Sequence, residues 1–108
     1  MGKVDLLQGT LDMLILRVLE RGEMHGWGIA ERIALLSTKD LLVGEGSLYP
    51  ALYRIQDKGW IESDWGKSDN NRRAKFYKLT KAGRKQLESE KETWARLVFA
   101  VGEVMGSA

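Results

Sequence analysis

Residues 46–83 read GSLYPALYRIQDKGWIESDWGKSDNNRRAKFYKLTKAG. In the first part of this stretch, apolar residues recur at helical spacing and form an inward stripe of Leu48, Ala51, Leu52 and Ile55. The segment from Trp60 to Trp65 then alternates as a strand, and after a polar loop the segment from Arg73 to Leu79 forms a second strand. The stretch therefore predicts a helix followed by a β-hairpin whose Tyr77 and Leu79 face the core.

Two further helices precede this stretch. The first has its apolar residues at helical spacing between Leu11 and Leu19, with Thr10 as its predicted N-cap. The second begins after His25 and ends near Ser37. The N-terminal part of the chain is thus predicted to contain three amphipathic helices in all.

A long helix is predicted after the hairpin, with Thr80 as its N-cap. Its apolar residues follow heptad spacing, with Lys91 at the one position that breaks it: Leu87, Trp94, Val98, Val101 and Met105. A helix of about 25 residues is roughly 37 Å long, which is more than a small domain can cover. We therefore predict that these five residues form the interface of a homodimer.

Together these elements predict an α+β fold, mainly α: a winged helix-turn-helix with three helices and a two-stranded β-hairpin wing, followed by a long C-terminal dimerisation helix. The predicted division is residues 1–79 for a DNA-binding domain and residues 80–108 for the dimerisation helix. The lack of repeats and linkers fits this plan.

Positive charge is concentrated in one part of the chain. The net charge is only +2, but residues 67–85 contain 8 basic residues and a single acidic one, Asp69. Because lysine and arginine displace counterions from phosphates, this block indicates a polyanionic partner. The alternative is a solvated basic surface without a partner.

The outward face of the third helix has side chains suited to contacts in a DNA groove. Tyrosine and serine hydroxyls can bind phosphates or base edges, arginine can bind guanine, and proline can touch a thymine methyl. The predicted DNA-binding residues on this helix are Ser47, Tyr49, Pro50, Tyr53 and Arg54. Either tyrosine could instead pack on a neighbouring helix. The wing adds Asn71, Arg72, Arg73 and Lys75 as contacts to the DNA backbone or the minor groove.

Other classes of function find little support in the sequence. The chain has no cysteine, and its one histidine, His25, has no ligand set around it, so we predict no metal site and no cofactor. We expect His25 to support the backbone or to contact phosphate. No catalytic arrangement can be argued from local spacing, so we do not expect an enzyme. Without a signal peptide or a membrane span, we expect a cytoplasmic protein.

Four stretches resemble the PadR family of bacterial regulators, in its short form with one C-terminal helix. They are Leu7-Gln8-Gly9-Thr10-Leu11, His25-Gly26-Trp27-Gly28-Ile29, Gly46-Ser47-Leu48-Tyr49-Pro50-Ala51-Leu52, and residues 73–83, RAKFYKLTKAG. The family commonly has tyrosine where this chain has Trp27. The resemblance implies a repressor that is dimeric through its last helix and binds duplex DNA, a pseudo-palindromic operator being expected.

The resemblance also implies that a planar aromatic compound could bind near Trp94 and Val98, since short PadR-like proteins sense such compounds in that region. Trp94 could equally fill the dimer interface or pack on the first helix. The competing function for the whole chain is a winged-helix module that binds protein instead of DNA. The operator, the regulated genes and the effector are not encoded in any motif of the chain.

Overall fold

The computed structural model describes residues 8–107, which form four helices and a three-stranded sheet. The helices are α1 (Gln8–Leu19), α2 (Gly26–Leu36), α3 (Glu45–Asp57) and α4 (Lys81–Gly106). The strands are β1 (Met24–His25), β2 (Ile61–Lys67) and β3 (Arg73–Leu79). The mainly helical α+β fold with a winged helix is confirmed. Leu7, in the first of the four matching stretches, lies outside the described residues.

One apolar core joins all four helices to β2 and β3. The predicted inward stripe of α3 is confirmed, since each of its four residues is at most 2% exposed. The core consists of Leu11, Ile15, Leu16, Val18, Leu19, Ile29, Ile33, Leu48, Ala51, Leu52, Ile55, Ile61, Tyr77, Leu79 and Leu87. Removal of these side chains from water is the main driving force for the fold.

Side-chain caps begin two of the four helices, α2 and α4. Thr80 caps α4 as predicted, because its Oγ1 accepts a hydrogen bond of 3.0 Å from the Gly83 N–H. At α2 the cap is His25, whose Nδ1 accepts a hydrogen bond of 3.0 Å from the Gly28 N–H. The predicted cap of α1 is wrong, because Thr10 lies inside that helix.

The predicted hairpin is present, but the sheet has a third strand. β2 and β3 pair antiparallel from Ile61↔Leu79 to Lys67↔Arg73. On its other side, β3 pairs with β1 in the register Met24↔Tyr77. The predicted two-stranded wing is thus confirmed as β2 and β3, while β1 was not predicted, because a strand of two residues is too short to show any periodicity.

The apolar stripe of α4 is divided between the core and the surface. Leu87 is 1% exposed and packs in the core of its own chain, so its predicted place in a dimer contact is wrong. One turn later, the Lys91 ammonium lies 3.3 Å from carboxylate oxygens of both Glu20 and Glu88. The apolar residues beyond Lys91 are exposed. The division between residues 1–79 and 80–108 stays a prediction, since α4 shares the core.

Gly83 allows α4 to pack closely against the start of the hairpin. A Cβ atom built on Gly83 would overlap the backbone carbonyl of Trp60, and it would lie 2.9 Å from Cδ1 of Leu79. That carbonyl oxygen also accepts a hydrogen bond of 3.0 Å from the Thr80 N–H. The backbone of Trp60 is thus held in place and cannot easily move aside.

We predict that Gly83→Ala lowers the free energy of unfolding by about 1–3 kcal/mol, because the added methyl overpacks a rigid contact. Thermal or urea unfolding followed by circular dichroism measures the change. Gly106→Ala is the matched control in the same helix, where a Cβ would meet nothing within 4 Å. It should be neutral or stabilise by up to about 1 kcal/mol. Equal effects of the two substitutions would contradict the close contact at Gly83.

Candidate nucleic-acid interface

The outward face of α3 is exposed along most of its length. Ser47, Tyr49, Pro50 and Tyr53 are all exposed, while the buried stripe anchors the opposite face of the helix. Tyr53 is 78% exposed, so its phenol is free to meet a partner. Pro50 lies inside the helix and has no N–H to bond the carbonyl of Gly46. This face therefore presents hydroxyls and a proline ring.

Tyr49 divides its surface between solvent and the start of α2. Its ring packs against the backbone of Gly26, since a Cβ built there would lie 3.0 Å from ring atoms of Tyr49. The side chain nevertheless remains 45% exposed. Tyr49 thus packs on a neighbouring helix, as the alternative prediction had it, and still exposes part of its ring to solvent.

The outward position predicted for Arg54 is wrong. Its guanidinium donates to the carboxylate of Asp12 in α1, with Nη2 2.5 Å from Oδ1 and Nε 3.4 Å from Oδ2. Asp12 is 8% exposed, and a buried carboxylate needs a charged partner to offset its desolvation. Arg54 is therefore engaged in joining α1 to α3. Its predicted contact with DNA has lost its geometric basis.

The wing presents unpaired positive charge. Arg72, Arg73 and Lys75 are exposed, and none of them takes part in an ion pair within residues 8–107. Lys78 differs, because its ammonium lies 3.3 Å from a carboxylate oxygen of Glu62 on the neighbouring strand. Asn71 occupies the left-handed region of the turn with φ of 62°, a conformation that asparagine tolerates well.

Two grooves connect the wing to the helices. The first has a volume of about 400 Å³ and is lined by His25, Gly26, Trp27, Tyr49, Trp65, Arg73, Ala74, Lys75 and Tyr77. The second has a volume of about 370 Å³ and lies between the end of α3 and the wing, lined by Tyr53, Gln56, Asp57 and Lys75. Lys75 lines both grooves. The structure thus brings His25, both tyrosines of α3, Arg73 and Lys75 together, whereas Asn71 and Arg72 lie at the tip of the hairpin.

Two tryptophans of the first groove were not among the predicted site residues. Trp65 lies in β2 beneath two cations of β3, with Arg73 Cζ 4.5 Å and Lys75 Nζ 5.7 Å from its ring centroid. Trp27 is 60% exposed at the start of α2. The sequence pattern could have identified Trp65, because an antiparallel hairpin that starts at Ile61↔Leu79 sets Trp65 opposite Lys75.

His25 and Tyr77 line the first groove on the side of β1 and β3. His25 caps α2 through Nδ1, and its ring meets Phe76 edge to face at 5.4 Å between centroids. Beside it, burial raises the pKa of Tyr77 above its ordinary value, and the neighbouring Tyr49 raises it further. The phenol of Tyr77 therefore stays neutral at physiological pH. Arg73 and Lys75 bring the positive charge of the wing to this groove.

The predicted effector and dimer residues lie elsewhere, on α4. Trp94 is 44% exposed and lines a groove of about 230 Å³ with α1, together with Gly9, Thr10, Met13, Glu90, Thr93 and Leu97. Val98 does not line this groove, but Val98, Val101 and Met105 are each at least 49% exposed. Leu97, which the heptad pattern omitted, is 51% exposed beside them.

Residues 8–107 contain neither a cluster of metal ligands nor a helix that could span a membrane. No group of three or more histidine, aspartate or glutamate side chains in this part of the chain is placed to hold a metal ion. No helix among the same residues combines the length and the apolar character needed to cross a membrane.

Comparison with known proteins supports the resemblance noted in the sequence. The model of the transcriptional regulator PadR-like family matches residues 15–89. A PadR-like transcriptional regulator from Bacillus cereus is 28% identical in sequence, with a TM-score of 0.80 over 94% of this chain and 97% of that chain.

Two further proteins are similar to this chain. A PadR family transcription regulator from Clostridium difficile is 30% identical, with a TM-score of 0.77 over 89% of this chain and 98% of that chain. A 37.1 kDa protein from a transposon of Streptomyces fradiae is 38% identical over 84% of this chain, which spans 25% of that protein. The family and the solved structures are transcriptional regulators and not enzymes. This chain belongs to the PadR-like family of transcriptional regulators.

Proposed function

We propose that this protein is a repressor that binds a pseudo-palindromic operator in duplex DNA as a homodimer and responds to a small-molecule effector. It acts in the cytoplasm, where its DNA target is found. The exposed face of α3 enters the major groove, and the wing holds the adjacent backbone. Ser47, Tyr49, Pro50 and Tyr53 contact the groove, and Arg72, Arg73 and Lys75 contact phosphates.

The observation that supports DNA as the partner is the position of unpaired cations next to the exposed face of α3. Lys75 lines one groove with Tyr49 and another with Tyr53. A phosphate backbone running beside α3 would meet these cations without any need for them to break an ion pair. Charge that is free and adjacent to a groove-reading helix is what DNA binding requires.

A winged-helix module that binds protein is the competing function. The two differ in their response to salt, because each phosphate contact releases counterions and makes DNA affinity fall steeply as salt increases. The deciding experiment is an electrophoretic mobility shift on DNA from the upstream region of the protein's own gene, titrated with salt and with random competitor DNA. Binding that survives competitor supports an operator, and absence of binding at low salt would refute the proposal.

We predict that Arg72→Ala combined with Arg73→Ala weakens binding to operator and random DNA alike. The slope of log affinity against log salt should flatten by roughly one unit for each lost phosphate contact. Fluorescence anisotropy at several salt concentrations measures both effects. The control, Arg84→Ala with Lys85→Ala, removes the same two charges from exposed positions of α4. An unchanged slope in the wing variant would remove the wing from the interface.

The proposed homodimer uses the part of α4 beyond Lys91. Trp94, Val98, Val101 and Met105 lie on one stripe of the helix and are exposed, with Leu97 beside them. Such a row of exposed apolar side chains on a helix is typical of a contact with a second helix. Two copies joined here would present two recognition helices to two half-sites.

We predict that Val98→Asp combined with Val101→Asp gives a folded monomer that binds an operator poorly, since two carboxylates in an apolar contact cannot be solvated. Light scattering measures the mass. Truncation after Lys85 is a weaker test, because it also removes Leu87 from the core. Phe99→Asp is the control, since Phe99 is 69% exposed on the opposite side of α4. A dimer that persists in the double variant would place the interface elsewhere, such as at Leu6 and Leu7, which lie outside the described residues.

The proposed effector is a planar aromatic compound that stacks on Trp94, close to Val98. The exposed indole lines a groove with α1 and lies on the same helix as the proposed dimer contact. A flat, half-exposed ring is suited to stacking, and binding there would change the spacing of the two recognition helices. The competing role of Trp94 is to pack on α1 and fill the interface.

We predict that Trp94→Ala abolishes binding of planar aromatic dyes and leaves a folded dimer that still binds DNA. Binding is measured by quenching of tryptophan fluorescence and by calorimetry, with one site expected per dimer. Trp27→Ala is the control, because Trp27 is also exposed but lies at the start of α2. Dye affinity that is retained in Trp94→Ala would leave Trp94 as an interface residue only.

A further inference from the structure

Trp65 has two cationic side chains of β3 over its indole ring. Lys75 is the direct cross-strand partner of Trp65, and Arg73, the partner of Lys67, is its diagonal neighbour on the same face. Arg73 Cζ lies 4.5 Å and Lys75 Nζ 5.7 Å from the ring centroid. Both distances are within the range in which a cation is attracted to the electron-rich face of an aromatic ring.

The indole offsets two costs of placing these cations together. Arg73 and Lys75 are two residues apart on one face of a strand, so their like charges repel each other. Both side chains also have many rotamers in solvent, and ordering them costs entropy. The ring attracts both cations and restricts their positions. Because the ring itself is neutral, their full positive charge remains available to an anion.

Trp65 contributes little to the apolar core of the protein. It is 56% exposed and lies in the outer half of the hairpin, beyond the last buried residue of β2, Ile61. Its ring lines the groove of about 400 Å³ together with Tyr49 of α3. The cations that it orders are therefore held beside the helix that is proposed to enter the major groove.

We infer that Trp65 is a positioning residue for DNA binding, which holds Arg73 and Lys75 toward the phosphodiester backbone next to α3. This inference rests on the proposed function. Trp65 acts through the two cations and does not contact DNA itself. Arg72 provides the contrast, since it is exposed at the tip of the hairpin and neither lines the groove nor lies over an aromatic ring within residues 8–107.

The test is a double-mutant cycle on binding to a fluorescently labelled duplex of random sequence, so that the operator need not be known. Trp65→Leu keeps an apolar side chain in the strand but has no aromatic face, and we expect it to weaken binding about threefold to tenfold. Trp65→Phe should recover most of the affinity. In a background of Arg73→Ala with Lys75→Ala, Trp65→Leu should have no further effect. Combined with Arg72→Ala, its full effect should persist.

Each outcome of this cycle decides the inference. An equal loss from Trp65→Leu with and without the two cations would show that Trp65 contacts DNA directly, and it would overturn the positioning role. Wild-type affinity in Trp65→Leu would overturn it as well. Thermal unfolding of each variant gives a readout that the positioning role should not move, and a lowered midpoint that Trp65→Phe does not restore would indicate a structural role instead. Absence of wild-type binding to any duplex would refute the proposed function as well as this inference.

Discussion

Strand β3 is hydrogen-bonded on both sides, and its register fixes the geometry of the candidate DNA interface. On one side it pairs with β1, which sets His25 in position to cap α2. On the other side it pairs with β2, which sets Trp65 opposite Lys75. Its inward residues, Tyr77 and Leu79, are buried in the core. A slip of one residue would exchange the two faces of the strand, so that Phe76 and Lys78 would face the core in place of Tyr77 and Leu79. Burial of Tyr77 and Leu79 therefore determines the register of β3, and this register determines which side chains lie side by side at the candidate DNA interface.

Helix α3 separates stability from recognition by face. Its apolar stripe is buried, and within residues 8–107 Arg54 is the one residue of α3 that takes part in an ion pair, with Asp12 of α1. That pair neutralises a nearly buried carboxylate and connects the last turn of α3 to α1. Ser47 and Tyr53 on the outer face remain exposed. The helix is thus held firmly from behind while its outer side chains remain available.

Periodicity and turn chemistry predicted much of this architecture, because both act over a few neighbouring residues. The stripe of α3, the pairing of β2 with β3 and the cap at Thr80 all follow from such local rules. The errors at Arg54 and Leu87 arose where a distant partner decides. Arg54 has a long side chain that turns toward Asp12 of α1, and a helical wheel does not include that neighbour. Leu87 and Trp94 share one heptad pattern, but periodicity does not reveal which of them the chain covers by itself.

The close contact at Gly83 fixes the N-terminal end of α4 against the hairpin, whereas its C-terminal half extends away from the core. A helix of 26 residues is about 39 Å long. A tilt of α4 by about 10° about its N-terminal end would displace its C-terminal end by about 7 Å, because displacement grows with length along the axis. In the proposed dimer, the C-terminal half of α4 joins the two copies. Half-sites on DNA repeat with a fixed separation of about 34 Å. Because Gly83 has no Cβ, α4 can pack closely enough to hold its angle to the rest of the chain. That angle determines how accurately the two recognition helices of the proposed dimer are spaced.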